Sequence, residues 1–276
     1  MNYSVLMSVY YKVNHIHLEK AIQSMLHQTY PTNDFVIVCD GQLTDKQNDV
    51  LNSFVRKSPE IFQIIRLAEN VGIGAAMSIG LASCKNELVA KMDADDIAIF
   101  DRCEKQLKRF IEEPRLTVLG GFISEFIVDS DEPYAIRAVP VDNEGIRQFA
   151  KRRQPFNNVT VMFRKSSVEA VGGYRPLRRN EDFDLYIRLL NEGYYCENLP
   201  IILVYVRSDE SAMKRRGSLA TLYGMVQSRW YAYRLGYSSI IDFVVCIGAQ
   251  VFLTVSPVWL RKKIYEKVLR KKIDCK

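Results

Sequence analysis

Short apolar runs alternate with amphipathic stretches along the first third of this chain, and that alternation narrows the fold to one class. Runs at 3–9, 35–39, 62–67 and 88–92 have the length and aliphatic content of buried strands. Between the first two, Leu18, Ala21, Ile22, Met25 and Leu26 fall at helical spacing ahead of Pro31. Val50, Leu51, Phe54 and Val55 mark a second amphipathic helix, and residues 72–83 read as a helix of small side chains. Strand and helix in strict alternation predict an α/β fold, a mostly parallel, Rossmann-like sheet with helices on both faces. Such sheets bind ligands outside the carboxyl ends of their strands. Asp40 and the cluster Asp93-Ala94-Asp95-Asp96 both follow a strand directly.

The second half is less regular. A helix starts near Asp101 and runs through 107–113. A strand over 116–128 is broken at Gly120-Gly121, another covers 159–163, and 168–171 leads into Gly172-Gly173-Tyr174. Residues 184–190 form a helix with Glu181-Asp182 in its entry turn, and 201–206 is the last strand. No repeat or low-complexity linker interrupts this, so residues 1–217 are expected to form one catalytic domain and 218–276 a helical, basic extension.

The acidic cluster carries the most chemistry. Three carboxylates within four positions repel one another, and burying them is costly without a cation. The arrangement suits a hard divalent metal whose shell phosphate oxygens complete. A helix N-terminus also favours Asp, and Asp96 or Asp101 suits that role, but one cap needs one acid. Asp40 is either the first half of an Asp-Gly turn or a carboxylate for a base N–H or ribose hydroxyl. Asn70-Val71-Gly72-Ile73-Gly74 either brings backbone close to a ligand or simply starts a helix. It lacks the third glycine of a dinucleotide fingerprint and the Gly-Lys-Ser/Thr of a P-loop. Glu181 and Asp182 are either N-terminal helix charge or a general base. The three histidines, His15, His17 and His27, all lie in or near the first helix, which leaves little for a histidine triad or a histidine metal site.

Charge is unevenly placed. Residues 261–276 hold eight of the 38 Lys/Arg and two of the 32 Asp/Glu, leaving thirty of each upstream. A neutral body with a basic tail argues against nucleic acid as a partner and favours an anionic membrane surface. The six scattered cysteines form no Cys-x-x-Cys pair and fit a reducing cytosol. A strand begins almost at the first residue, so no signal peptide is expected.

Taken in order, several segments resemble family 2 glycosyltransferases, the inverting group with the GT-A fold. They are 4–10, Ile37-Val38-Cys39-Asp40-Gly41, Asn70 to Ala76, Met92 to Asp96, Asp101-Arg102 with Gln106, Gly172-Gly173-Tyr174 and Glu181 to Leu185, and the resemblance covers roughly 3–217. It implies a metal-dependent hexosyltransferase of surface-polysaccharide type. Tyr10 would line the base pocket, Asp40 would bind uracil or ribose, and Asn70 and Gly72 would approach the nucleotide-sugar donor. Asp93 would contact ribose or metal, and Asp95 would hold Mn²⁺ or Mg²⁺ on the diphosphate. Asp182, with Glu181, would be the catalytic base. Arg207, Arg215 and Arg216 fall where the family has a basic loop over the diphosphate. The chain departs from the pattern at Cys39, where a second acid is usual, at Gln42-Leu43, and at Asn157 or Asn158, where a histidine is common.

Residues 243–260 carry no charge and are followed by Arg261-Lys262-Lys263. A single span would separate the body from the tail, so a shallow or re-entrant segment is expected, with Ile264, Val268 and Leu269 in the interface. The alternative is a helix packed on the domain. Together these readings give a cytoplasmic enzyme peripheral to the plasma membrane and acting on a glycan or lipid-linked acceptor. A haloacid dehalogenase-type phosphotransferase using Asp93, and a non-catalytic sugar-nucleotide-binding subunit, are the competing readings.

Overall fold

A computed structural model of the chain describes residues 1–126, 135–208, 218–257, 260 and 271–272. Arg215, Arg216, Ile264, Val268 and Leu269 lie outside the described residues, as do 127 and 128.

Four parallel strands form the first half of the sheet in the order β3 (Phe62–Arg66), β2 (Asp34–Cys39), β1 (Tyr3–Val9), β4 (Leu88–Asp93). They are linked by α1 (His15–Leu26), α2 (Asp45–Lys57) and α3 (Ile73–Ser83). Strand alternation divides the core in two. Val5, Met7, Val9, Phe35 and Ile37 pack on one face with Leu18, Ile22, Leu51 and Phe54. Leu6, Val36 and Val38 pack on the other with Met77 and Leu81. Caps fix two helix starts: Asn14 Oδ1 accepts from the Ile16 N–H at 2.9 Å, and Thr44 with Gln47 forms a capping box.

Beyond β4 the sheet is mixed, which corrects the mostly parallel expectation. The short β5 (Ile97–Ala98) and α4 (Arg102–Glu112) lead to β6 (Leu116–Phe126), then β7 (Ala135–Arg137) and α5 (Asn143–Ala150). A single 3₁₀ turn at Asn158–Thr160 precedes β8 (Met162–Arg164) and α6 (Lys165–Ala170). Then come α7 (Glu181–Asn191) and β9 (Tyr195–Arg207). β8 is antiparallel to both β4 and β6, β6 is antiparallel to β7 and parallel to β9, and β9 is antiparallel to β5. A two-residue strand β10 (Lys271–Lys272) pairs with β7.

Two further expectations change, at 159–163 and at Gly120-Gly121. The 159–163 run starts as a 3₁₀ turn because the Asn157 carbonyl accepts from both Thr160 N–H and Oγ1, which curls the backbone before β8. The 168–171 run is the end of α6 and the residue after it. β6 is not broken at Gly120-Gly121: it continues, and its register against β9 shifts between Gly121 and Phe122. A Cβ on Gly120 would come within 2.2 Å of Asn198 Oδ1, and one on Gly121 within 2.5 Å of Leu203, so these glycines permit a close crossing.

Two C-terminal helices, α8 (Leu219–Arg234) and α9 (Ile240–Val255), complete the described chain. Arg229 of α8 lies over the Phe183 ring at 3.8 Å and donates to the Ala150 carbonyl, which docks this helix on α7 and α5. Among the described residues no helix is long and apolar enough to cross a membrane.

Candidate active site

The carboxyl ends of β1, β2 and β4 lie side by side and carry Tyr10, Asp40 and Asp93 to Asp96. Ser8 is level with Asp93, and Val9 with Cys39. Tyr10 is half-buried at the end of β1, with its carbonyl held by Gln47 Nε2 at 3.0 Å and its ring edge-on to Tyr11.

Asp40 is buried and organises the neighbouring loop. One oxygen accepts from the Val71 N–H at 2.8 Å; the other accepts from Asn70 Nδ2 at 2.9 Å and the Gly72 N–H at 3.2 Å. Gly72, at φ 89°, adopts a conformation that side chains resist and begins α3 without a side-chain cap. Asp40, Asn70 and Gly72 therefore form one unit at the edge of the site.

The three acids after β4 have separate surroundings. Asp96 is buried and accepts from the Arg207 N–H at 2.9 Å, joining the acidic turn to the end of β9. Burial, then the charges of Asp95 and Asp93, lifts its carboxyl well above the usual range, and its contact with β9 makes it a structural partner. Asp93 and Asp95 are half-buried at the strand tip. The Arg207 guanidinium stacks over the Phe126 ring at 4.6 Å.

Lys91 carries no motif of its own, yet it connects the site. Its side chain is 2% exposed and its ammonium donates to Asp93 Oδ1. Burial lowers its pKa, but Asp93, then Glu181 and Asp182, outweigh that and raise it overall. One buried cation thus lies within the field of the strand-tip acids and of the head of α7. Beneath it, the buried Arg102 donates to the Lys91 carbonyl at 2.8 Å and to Gln106, whose amide donates to the Leu119 and Thr160 carbonyls. Arg102 and Gln106 are therefore part of the scaffold that supports β4.

At the start of α7, Asn180 sits in the left-handed region at φ 57° and presents three acids in the first turn. They divide by environment. Asp184 is fully enclosed and salt-bridged to Arg175 and Arg188, so it anchors the helix. Glu181 is buried, and burial together with the Asp182 charge pushes it up to about 8. Asp182 is partly exposed; its Oδ2 accepts from Gln154 Nε2 at 2.6 Å and its Oδ1 from the Phe183 N–H at 2.7 Å. Burial raises its carboxyl too, offset in part by Phe183, Lys91 and Gln154.

Several buried polar atoms around these acids have no protein partner among the described residues: Gln154 Oε1, Asn180 Nδ2 and the Tyr174 hydroxyl. Buried polar atoms are otherwise nearly always paired, so a polar ligand suits this region. Among the described residues no three His, Cys, Asp or Glu converge into a metal cage. Two hard carboxylates at one strand tip fit a cation that arrives with phosphate oxygens, since Mg²⁺-type ions need only one or two protein carboxylates.

The chain matches the model of Glycosyl transferase family 2 over residues 4–172. It is 32% identical over 269 residues to the Escherichia coli UDP-Gal:alpha-D-GlcNAc-diphosphoundecaprenol beta-1,3-galactosyltransferase, covering 98% of this chain and 97% of that one. It is 35% identical to an uncharacterized glycosyltransferase of Haemophilus influenzae, covering 98% and 100%. It is also 33% identical to the amylovoran biosynthesis glycosyltransferase AmsE of Erwinia amylovora, covering 84% and 85%. Among solved structures, the mannosyltransferase PcManGT from Pyrobaculum calidifontis, in complex with GDP-Man and Mn²⁺, superposes with a TM-score of 0.66 at 16% identity over 95% of this chain and 72% of that one. That likeness establishes a GT-A-like fold. With the family model spanning strands β1 to β8 and relatives aligned along nearly the whole length, the chain belongs to glycosyl transferase family 2.

Proposed function

We propose that this enzyme is an inverting glycosyltransferase that moves a sugar from a nucleotide-diphosphate donor, a uridine diphosphate sugar, to a hydroxyl of a lipid-linked glycan during surface-polysaccharide assembly. The observation that carries this reading is Lys91, whose buried charge acts on Asp93 at the strand tip and on Asp182 at the head of α7. A donor-side acid and a base-side acid therefore belong to one site.

In this reading Asp182 is the base. It is the partly exposed member of the Glu181-Asp182 pair, and its two protein donors leave each oxygen a further lone pair. Burial raises its basicity toward neutral pH, which suits proton removal from a sugar hydroxyl. The acceptor oxygen bonds to the anomeric carbon while the bond from that carbon to the diphosphate oxygen breaks. The electron pair leaves with the diphosphate, and the hydroxyl proton passes to Asp182. One displacement of this kind inverts the anomeric centre. Asp93 and Asp95 would hold Mn²⁺ or Mg²⁺, which would supply positive charge opposite the departing diphosphate. Glu181, held up to about 8, stays largely protonated at neutral pH beside the base. The Asp40, Asn70 and Gly72 unit and Tyr10 would form the nucleotide side of the site, with Arg207 at its rim.

The uridine donor and the lipid-diphosphate acceptor are supported by the E. coli relative, whose name states both. Incubation with UDP-sugars, a polyprenyl-diphosphate-linked acceptor and Mn²⁺, with the new linkage analysed by NMR, tests the proposal. Transfer with inversion is expected. Donor binding without nucleotide release would favour the binding-subunit alternative, and retention would exclude the single displacement.

A further inference from the structure

Helix α9 is built inside out. The positions it turns toward the protein are Asp242, Cys246 and Gln250, all buried. Asp242 is salt-bridged to Arg152 at 2.5 Å and closes the capping box with Ser239, and Cys246 Sγ donates to the Arg152 carbonyl at 3.3 Å. The positions it turns outward are apolar: Ile241 is 65% exposed, Val244 61%, Phe252 53% and Val255 76%. These recur at helical spacing and make one uncharged stripe along the whole helix. Trp230 of α8, itself half-exposed, packs edge-on against Phe243 and widens the stripe with an amphipathic ring. Ordinary surface helices have the opposite polarity, and an exposed apolar face of this kind is the mark of an interaction surface.

We propose that the outer face of α9 is a membrane-docking surface that seats the enzyme in the plane of an anionic bilayer. Sixteen residues span only about 24 Å, short of the roughly 30 Å hydrocarbon core, so the helix lies along the surface. Charge selects a lipid partner over a second copy of this chain. Beyond the five residues that follow α9, Arg261-Lys262-Lys263 begins a stretch, 261–276, with eight basic against two acidic residues. A second copy would add the same positive charge and nothing to offset it, while an anionic bilayer offers acyl chains to the stripe and negative headgroups to the basic residues. The inference goes beyond the transferase reading and does not depend on it, because its readout is binding to lipid.

Flotation of the full chain with phosphatidylcholine vesicles, with or without phosphatidylglycerol, tests this. Wild type should float with the anionic vesicles about ten-fold more than with neutral ones, and less at high salt. The variant Ile241→Ser/Val244→Ser/Phe252→Ser/Val255→Ser should lose about ten-fold of that binding while keeping its melting temperature, since none of these side chains is buried. In a Trp259→Phe background, Trp230 fluorescence should be quenched by brominated lipid. Wild type failing to bind anionic vesicles at low salt would overturn the proposal. So would a variant that floats equally well, or a wild-type dimer that the four substitutions convert to monomer.

Discussion

Lys91 Nζ donates to Asp93 Oδ1 from two residues back along the same side of β4, so a side chain 2% exposed neutralises a carboxylate that is 42% exposed. The carboxylate is therefore not stranded when the lysine is removed, and a Met of similar length fills the same space. Lys91→Met should leave stability within about 1 kcal/mol of wild type, or raise it, because a desolvated charge is lost. Turnover should fall about 100-fold, and the acid limb of the pH–rate profile should move to higher pH, since the Lys91 charge holds both Glu181 and Asp182 down. Thermal melts and rate profiles check this; an unmoved acid limb would separate Lys91 from the base.

Asp182→Asn keeps the shape of the side chain while removing the proton acceptor, and a flip of the Gln154 amide lets its Oε1, unpartnered among the described residues, accept from the new amide. Transfer should fall by about 10²–10⁴-fold with donor affinity unchanged. Gln154→Leu should produce a smaller loss, because it leaves Asp182 ionisable but unanchored. Steady-state kinetics with separate kcat and KM for the acceptor would distinguish the two.

Asp184 is two residues from the proposed base and has a different task. Asp184→Asn leaves the buried Arg188 without its charge partner and should destabilise the fold by about 3 kcal/mol. Urea denaturation reads this directly, and wild-type stability would contradict the anchoring role.

Glu181 ties stability to pH. Its ordinary value of 4.5 is raised to about 8 in the folded protein, so between those values the folded chain binds more protons than the unfolded one. Its contribution to stability therefore declines as pH rises from about 4.5 to 8 and levels off above. Glu181→Gln should flatten that decline, which denaturation midpoints measured across the window would show.

Strands β1, β2 and β4 were legible because they are buried on both faces and read as largely apolar runs, whereas β3, at the sheet edge, is only partly buried. Asp40, the strand-tip acids and the head of α7 were legible as acids following such signals. What each acid does was not. Asp96 and Asp184 differ from Asp95 and Asp182 only in what approaches them from distant segments: the Arg207 N–H, and Arg175 with Arg188. Lys91 looks like an interruption in an apolar strand until α7 is packed beside it. Gln154 lies in a loop with no motif, 28 residues before the acid it contacts. The Gly120-Gly121 pair signals a break locally, whereas its role is a crossing with Asn198 and Leu203 that only the tertiary fold creates. In α9, the uncharged stretch gave no sign that Asp242, Cys246 and Gln250 would be the face turned inward.

In the proposed reaction Asp93 and Asp95 present a divalent cation to a donor's diphosphate. Titration calorimetry of UDP into the wild-type protein and Asp95→Ala, each with Mn²⁺ and with chelator, tests it most directly. The account predicts binding by wild type that needs Mn²⁺ and weakens at least about ten-fold in Asp95→Ala. Equal affinity in both proteins, or UDP binding indifferent to chelator, would contradict it.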